Sequence, residues 1–154
     1  MTPSTLDELV SEEAALQFDR FGLDDAWTIG NALREAALAR LGAVAVEIAL
    51  RDRPLFYTVT PGADTSNGNW IRRKRNTVLA LGTSTLVVGM KLAKAGQTLE
   101  ERYGLSPAEH ASDGGGFPVR LRSLGVIGAI TVSGMPSLED HQLVTGVLRS
   151  FLQR

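Results

Sequence analysis

The chain has 154 residues, with 16 basic and 17 acidic side chains and a formal net charge of −1. This length fits one domain with one sizeable apolar core, so residues 1–154 are treated as a single domain. The near balance of charge argues against a broad nucleic-acid-binding surface. The chain has no cysteine, which excludes disulfides, thiolate metal sites and a cysteine nucleophile and fits a reducing compartment.

The N-terminal residues have neither the basic nor the apolar region of a signal peptide. The longest uncharged apolar stretch, residues 77–90, is shorter than the roughly 20 residues of a membrane-spanning helix. We therefore expect a soluble cytoplasmic protein with no membrane or nucleic-acid partner.

Hydrophobic periodicity and turn residues predict a mixed order of helices and strands. In chain order these are a helix over 5–15, a strand over 16–21, a helix over 26–41, strands over 44–50 and 55–60, a helix over 70–95 broken near 82–84, a short helix over 98–103, strands over 117–122 and 126–132, and a helix over 138–152. Asp24 or Asp25 would begin the second helix and Gly42 would end it. Hairpins between helices, without regular βαβ alternation, favour an α+β fold with a mainly antiparallel sheet and helices packed on it.

The densest positive charge is the run Arg72-Arg73-Lys74-Arg75, which opens a long apolar segment. On a helix, Lys74 falls between Trp70 and Val78 on the side that packs. Arg72 and Asn76 point the opposite way, and the other two arginines lie on the flanks.

Two interpretations of Lys74 stay open. Its stem could lie along Trp70 while its ammonium reaches water. Alternatively, Lys74 with Arg73 or Arg75 faces a pocket or subunit interface and holds an anion such as a carboxylate or phosphate. In that case Trp70 and Asn76 belong to the ligand site, and Asn67, Asn69 and the backbone N–H groups at the start of the helix add donors to it.

The triple glycine at 114–116 precedes Phe117-Pro118 and not a helix, so phosphate-loop motifs do not apply. Tight entry to a strand is the simpler explanation, and approach of Gly115 and Gly116 to a ligand is the alternative. Gly128 inside a strand indicates a close approach, for which packing is favoured over a ligand.

Ser137 and Asp140 have the spacing of a capping box, and Asp140 also projects near the apolar side of the last helix. His110 and His141 are the two histidines, and their spacing makes no metal motif, so each is only a minor candidate for a metal. Lys74, Asp140 and His141 are the candidate acid–base groups if the protein is an enzyme.

Two sets of residues resemble a known family. Gly114–Val119, Gly128–Gly134 and Asp140-His141 resemble the C-terminal signature of the haem-degrading (HbpS/GlcG-like) domain family. Asn69–Val78, with Asp24–Trp27 and Leu55-Phe56, looks like its UPF0303 branch. The resemblance implies a profilin-like or PAS-like sandwich with a sheet of about five strands, assembly into dimers or rings, and haem as one ligand reported across the wider family.

These observations support three hypotheses. The first is a small-molecule-binding domain for an anionic ligand or a haem-like tetrapyrrole, in which Arg73, Lys74 and Arg75 pair with carboxylates and His110 or His141 approaches a metal. The second is a self-assembling module whose cations meet acidic residues of a neighbour, such as Glu12-Glu13. The third is an acid–base enzyme of unknown substrate.

Overall fold

A computed structural model describes residues 2–51 and 53–154, which form six helices and four strands. In chain order the elements are α1 (Leu6–Ala15), α2 (Leu23–Ala39), β1 (Ala45–Leu50), β2 (Arg53–Val59), α3 (Asn67–Leu81), α4 (Thr85–Ala95), α5 (Leu99–Tyr103), β3 (Gly116–Leu121), β4 (Gly125–Ser133) and α6 (Ser137–Leu152).

The four strands form one antiparallel sheet in the order β2-β1-β4-β3. Both predicted hairpins are present, and β1 joins them by pairing with β4, with Val46 opposite Val132 and Ile48 opposite Ile130. The α+β class and the mainly antiparallel sheet are therefore confirmed.

The predicted fifth strand, residues 16–21, is wrong. Phe18 alone forms a parallel bridge beside β3, donating its N–H to Arg120 and accepting from Arg122. The pairing ends at Phe18, whose side chain is buried in the core, because the chain bends at Asp19 and α2 begins five residues after Phe18. The sheet accordingly has four strands among the described residues.

The two faces of the sheet differ in chemistry. One face is apolar and is covered by α2 and α6; its buried strand residues are Val46, Ile48, Phe117, Val119, Ile130 and Val132. The opposite face lies under α3 and carries small or polar residues, including Ala45, Glu47 and Thr131. Alternation of side chains along each strand produces this division.

Helix α2 differs from its predicted bounds at both ends. It begins three residues early, and the Asp25 side chain accepts from the Gly22 N–H at 2.8 Å. At the other end Leu41, and not Gly42, has positive φ (56°), and the Gly42 N–H donates to Ala37. This is a Schellman ending with leucine in the left-handed position.

The predicted break in the long helix is confirmed at Gly82, which has φ +69° and ends α3. Ser84 then caps α4 by accepting from the Val87 N–H, and Glu13 of α1 accepts from the Ser84 N–H at 3.0 Å. Within residues 2–51 and 53–154 no single helix is long and apolar enough to cross a membrane. The pair α3 and α4, bent by 76°, meets that criterion only when taken together.

The close approach predicted at Gly128 is also confirmed as packing. A side chain there would collide with the backbone carbonyl of Ala49 on the neighbouring strand. The glycine therefore lets β4 lie against β1 and does not mark a ligand site.

Candidate functional site

Lys74 lies on the side of α3 that packs against the sheet, where the helical projection places it, and it is 2% exposed. Its Nζ donates to the carbonyl oxygen of Val132 at 3.1 Å and to Oδ2 of Asp140 at 3.2 Å. The ammonium therefore does not reach water along Trp70, and that interpretation is wrong. An ammonium has three N–H donors, so these two bonds leave one for another acceptor.

Asp140 reaches Lys74 from the first turn of α6. The expected capping box between Ser137 and Asp140 does not form in α6, all of which the structure describes. The N-cap residue is Pro136, and no side chain caps the first turn. Asp140 instead accepts from the backbone N–H groups of Gly134 at 3.2 Å and Met135 at 3.0 Å. The carboxylate thus holds the turn after β4 and pairs with a helix on the other face of the sheet.

Burial dominates the electrostatics of this pair. It raises the pKa of Asp140 to about 6, although Lys74 and the two backbone N–H groups oppose the rise. It lowers the pKa of Lys74, although Asp140 and, more weakly, Asp113 oppose the fall. Both groups are therefore closer to exchanging a proton near neutral pH than an exposed lysine and aspartate would be.

Gly115 makes room for the ammonium. It has φ +129°, and a Cβ at this position would lie 2.9 Å from Nζ of Lys74 and would collide with the carbonyl of Val132. Gly116 packs in the same way against α3 and α4, through Val78 and Thr85. The glycines predicted as ligand contacts thus pack against the protein, and their use in binding stays a prediction.

A cleft of about 330 Å³ opens over the pair. Its lining comes from α3, the loop before β3 and the segment from β4 into α6: Asn67, Trp70, Lys74, Asp113, Ser133, Gly134, Met135, Pro136, Ser137 and Asp140. The cleft lies near the lower end of the roughly 300–1,000 Å³ range of ligand sites. We call it the Lys74 cleft.

The other members of the basic run have different partners. Arg72 pairs with Glu109 at the surface, and Arg75 pairs with Glu47 of β1 at 2.7 Å. Asn76 donates to the carbonyl of Glu109. Of the residues predicted to bind a ligand, the structure therefore brings Asn67, Trp70 and Lys74 to the Lys74 cleft.

Arg73 faces a second cleft of about 580 Å³, between α3, α4 and the loop before β3. Its guanidinium stacks over Trp70 at 4.6 Å and donates to the carbonyls of Pro107 and His110. His110 lines the same cleft, and its Nδ1 lies 3.1 Å from the carbonyl of Ser106. A carbonyl only accepts, so in the neutral ring Nδ1 carries the proton and Nε2 has the free lone pair. We call this the His110 cleft.

His141 lies outside both clefts. It is buried, and its ring centroid lies 5.8 Å from that of Phe117 on β3. Neither ring nitrogen has a hydrogen-bond partner among the described residues. Its closest charged group is Glu12, at 3.8 Å from Nε2. The two histidines therefore do not meet, and the described residues contain no group of three or more His, Asp or Glu side chains placed to hold a metal.

Sequence reasoning missed several lining residues, notably Asp113 and Ser133. Asp113 stands directly before the triple glycine and lines both clefts. An acid beside the glycine run could have suggested a site there. Ser133 is a single polar residue at the end of β4, a pattern too common to mark a site.

Comparison with known proteins identifies the family. The model of the family "Haem degrading protein HbpS-like" matches residues 21–149. The chain belongs to this family. UPF0303 proteins of Edwardsiella ictaluri and Serratia proteamaculans are 46% and 44% identical to it over 147 residues. Each match covers 96% of this chain, with 94% of the first relative and 91% of the second.

Solved structures show the same HbpS-like fold. The Ybr137w protein superposes with a TM-score of 0.89 at 30% identity, covering 97% of this chain and 88% of the other. The HbpS double mutant of Streptomyces reticuli gives 0.68 at 25% identity, covering 87% and 88%. A PduOC:haem complex gives 0.70 at 19% identity, covering 84% and 94%, and at that identity it shows the fold alone.

Proposed function

We propose that the protein binds a small carboxylate-bearing molecule in the Lys74 cleft. The observation that carries this proposal is the unused third donor of Lys74, on a side chain that is almost fully buried yet lines an open cleft. Burying a charged lysine costs free energy. A buried lysine whose ammonium keeps one unused N–H donor can donate that bond to an oxygen of the ligand.

The start of α6 adds further donors. Pro136 and Ser137 line the cleft, and the first turn has no side-chain cap because Asp140 is directed to Gly134 and Met135. The first N–H groups of a helix have no partner within the helix and favour a negative group. A carboxylate between Lys74 and this turn would satisfy both.

Charge limits the ligand to a small monoanion. Asp113 and Asp140 already face the single cation of the cleft, so an added carboxylate is repelled unless Asp140 takes up a proton. The raised pKa of Asp140, about 6, makes that uptake accessible near neutral pH.

Isothermal titration with acetate, propionate and pyruvate tests the proposal. Ser137→Pro removes one N–H at the first helical position, which proline tolerates, whereas the matched Ser137→Ala keeps it. We expect Ser137→Pro to weaken binding at least about tenfold, because one hydrogen bond to a charged group contributes about 1.5–3 kcal/mol, and Ser137→Ala to bind as the wild type. Equal affinity of the two variants, or no binding of any carboxylate, would contradict the proposal.

The His110 cleft supports haem as a second candidate ligand. Nε2 of His110 would hold the haem iron through its lone pair, and Arg73, which lines the same cleft, would pair with a propionate. Bound haem would supply an iron centre there. The Lys74 cleft offers no histidine, and the buried His141 does not fit this role.

Absorption during haem titration tests this candidate. A Soret band that is lost in His110→Ala and kept in His141→Phe would support it. A flat titration of the wild type, or a band that survives His110→Ala, would remove haem from this cleft.

Self-association remains a prediction, but the charged groups first expected to pair between subunits pair within one chain. Glu12 pairs with Arg149, and Glu13 binds Thr83 and Ser84, all within one chain. The cations at 72, 74 and 75 are also paired internally. An assembly held by contacts between these two groups is therefore not favoured, and light scattering across salt concentrations would test it.

A further inference from the structure

We propose that Lys74 forms an imine with a small 2-oxo acid bound in the Lys74 cleft. This inference rests on the proposed carboxylate-binding function and adds a covalent step to it. The substrate class follows from the two ends of the site, because the α6 turn suits a carboxylate and Lys74 offers an amine beside it.

The surroundings of Lys74 favour a nucleophilic amine. Burial lowers its pKa, which increases the neutral fraction that can attack a carbonyl. Asp140 lies 3.2 Å from Nζ and can take its proton. The bond to the Val132 carbonyl and the close backbone of Gly115 hold the nitrogen at one position beneath the cleft.

Asp140 can act as both base and acid in this step. Near neutral pH a fraction of Asp140 is ionised, and in that form it first accepts a proton from the Lys74 ammonium. The amine lone pair then forms a C–N bond as the C=O double bond opens, and the oxygen takes a proton from that nitrogen. Asp140 returns its proton to the resulting hydroxyl, the C–O bond breaks, and water leaves. An iminium cation remains beside the Asp140 carboxylate, and no oxidant or reductant is required.

The other two lysines provide an internal control. Lys91 and Lys94 are exposed on α4 and line no part of the Lys74 cleft. Any carbonyl compound reacts to some extent with free amines, so an adduct counts only if it favours Lys74 over these two.

The test is reductive trapping. The full-length protein is incubated with pyruvate and sodium borohydride, and the modified lysine is located by peptide mass spectrometry. We expect one adduct, at Lys74, which disappears in Lys74→Arg and is unchanged in Lys91→Arg. An adduct distributed over all three lysines, or confined to Lys91 and Lys94, would overturn the inference.

Titration with lactate separates this inference from the proposed function, because lactate has the carboxylate but no carbonyl. If both acids bind and pyruvate gives no trapped adduct, carboxylate binding stands and the imine is wrong. If neither acid binds and nothing is trapped, both proposals fail. Should Lys74→Arg not fold, Asp140→Asn takes its place, with slower trapping expected at an intact Lys74.

Discussion

The same four strands form two faces of the sheet that differ in composition and in the helices that cover them. The face under α2 and α6 is filled with branched and aromatic side chains, and it accounts for most of the apolar core. The face under α3 carries Glu47 and Thr131 and receives Arg75 and Lys74 from the helix. The contrast indicates that the first face determines the fold, whereas the second retains polar groups that cost stability and that we propose bind a ligand.

The largest effect is expected on the polar face, from Asp140→Ala. This change leaves the Lys74 ammonium without its carboxylate partner, and it leaves the N–H groups of Gly134 and Met135 without an acceptor. Breaking a buried pair typically costs about 3–5 kcal/mol, which denaturant unfolding would measure. The matched double variant Lys74→Met/Asp140→Leu should recover part of that loss, because it removes both charges. A loss below about 1 kcal/mol for Asp140→Ala, the range of surface ion pairs, would mean that the pair is not buried in solution.

The apolar face should respond differently. Ile130→Val removes one buried methyl group from the core and should cost about 0.5–1.5 kcal/mol. Because Ile130 points away from α3, carboxylate binding should be unchanged in titration. A binding defect in this variant would show that the two faces are not independent.

The pH dependence of the unfolding free energy is a third test of the difference between the two faces. The pKa of Asp140 is raised to about 6 in the folded protein from an ordinary value of 3.8. The folded state therefore binds this proton more tightly than the unfolded state, and the resulting stabilisation, present below pH 4, is lost as the pH rises to 6.

Subtracting the curve of Asp140→Asn from that of the wild type isolates this contribution. The unfolding free energy of the wild type minus that of Asp140→Asn should decrease between pH 4 and pH 6. A difference that is flat or rises over that window would contradict a raised pKa.

The smallest effect is expected at the exposed end of the basic run. Arg72→Ala breaks the surface pair with Glu109 and should change stability by less than about 1 kcal/mol. Carboxylate binding should also be retained, because Arg72 does not line the Lys74 cleft. A large loss of either would assign Arg72 a role that its contacts do not indicate.

Local patterns in the sequence predicted much of the fold. Alternation in the two hairpins and the Gly82 break reflect backbone preferences that act over a few residues, so both are visible in one sequence. Residues 16–21 have the composition of a strand, which is why one was predicted there. In the structure only Phe18 pairs with β3, through a single bridge, and no ladder of strand hydrogen bonds forms. The ending of α2 was misassigned because leucine rarely adopts positive φ.

The site could be predicted only in part. Helical projection placed Lys74 on the packed side because that property depends on α3 alone. Its partner Asp140 is 66 residues away, and its spacing from Ser137 gave a sufficient local explanation as a cap. The separation of Arg73 from Lys74 into two clefts depends on how the loop before β3 packs, which no local pattern encodes.

Amide chemical-shift mapping during pyruvate titration tests the central claim most directly, because it shows where the carboxylate binds. We predict that the largest shifts occur at Gly134 and at Ser137, Leu138 and Glu139 in the first turn of α6, and that Lys74→Met abolishes them. Shifts centred instead on residues 97–99 and 110–112 of the His110 cleft, or shifts that persist in Lys74→Met, would contradict the account.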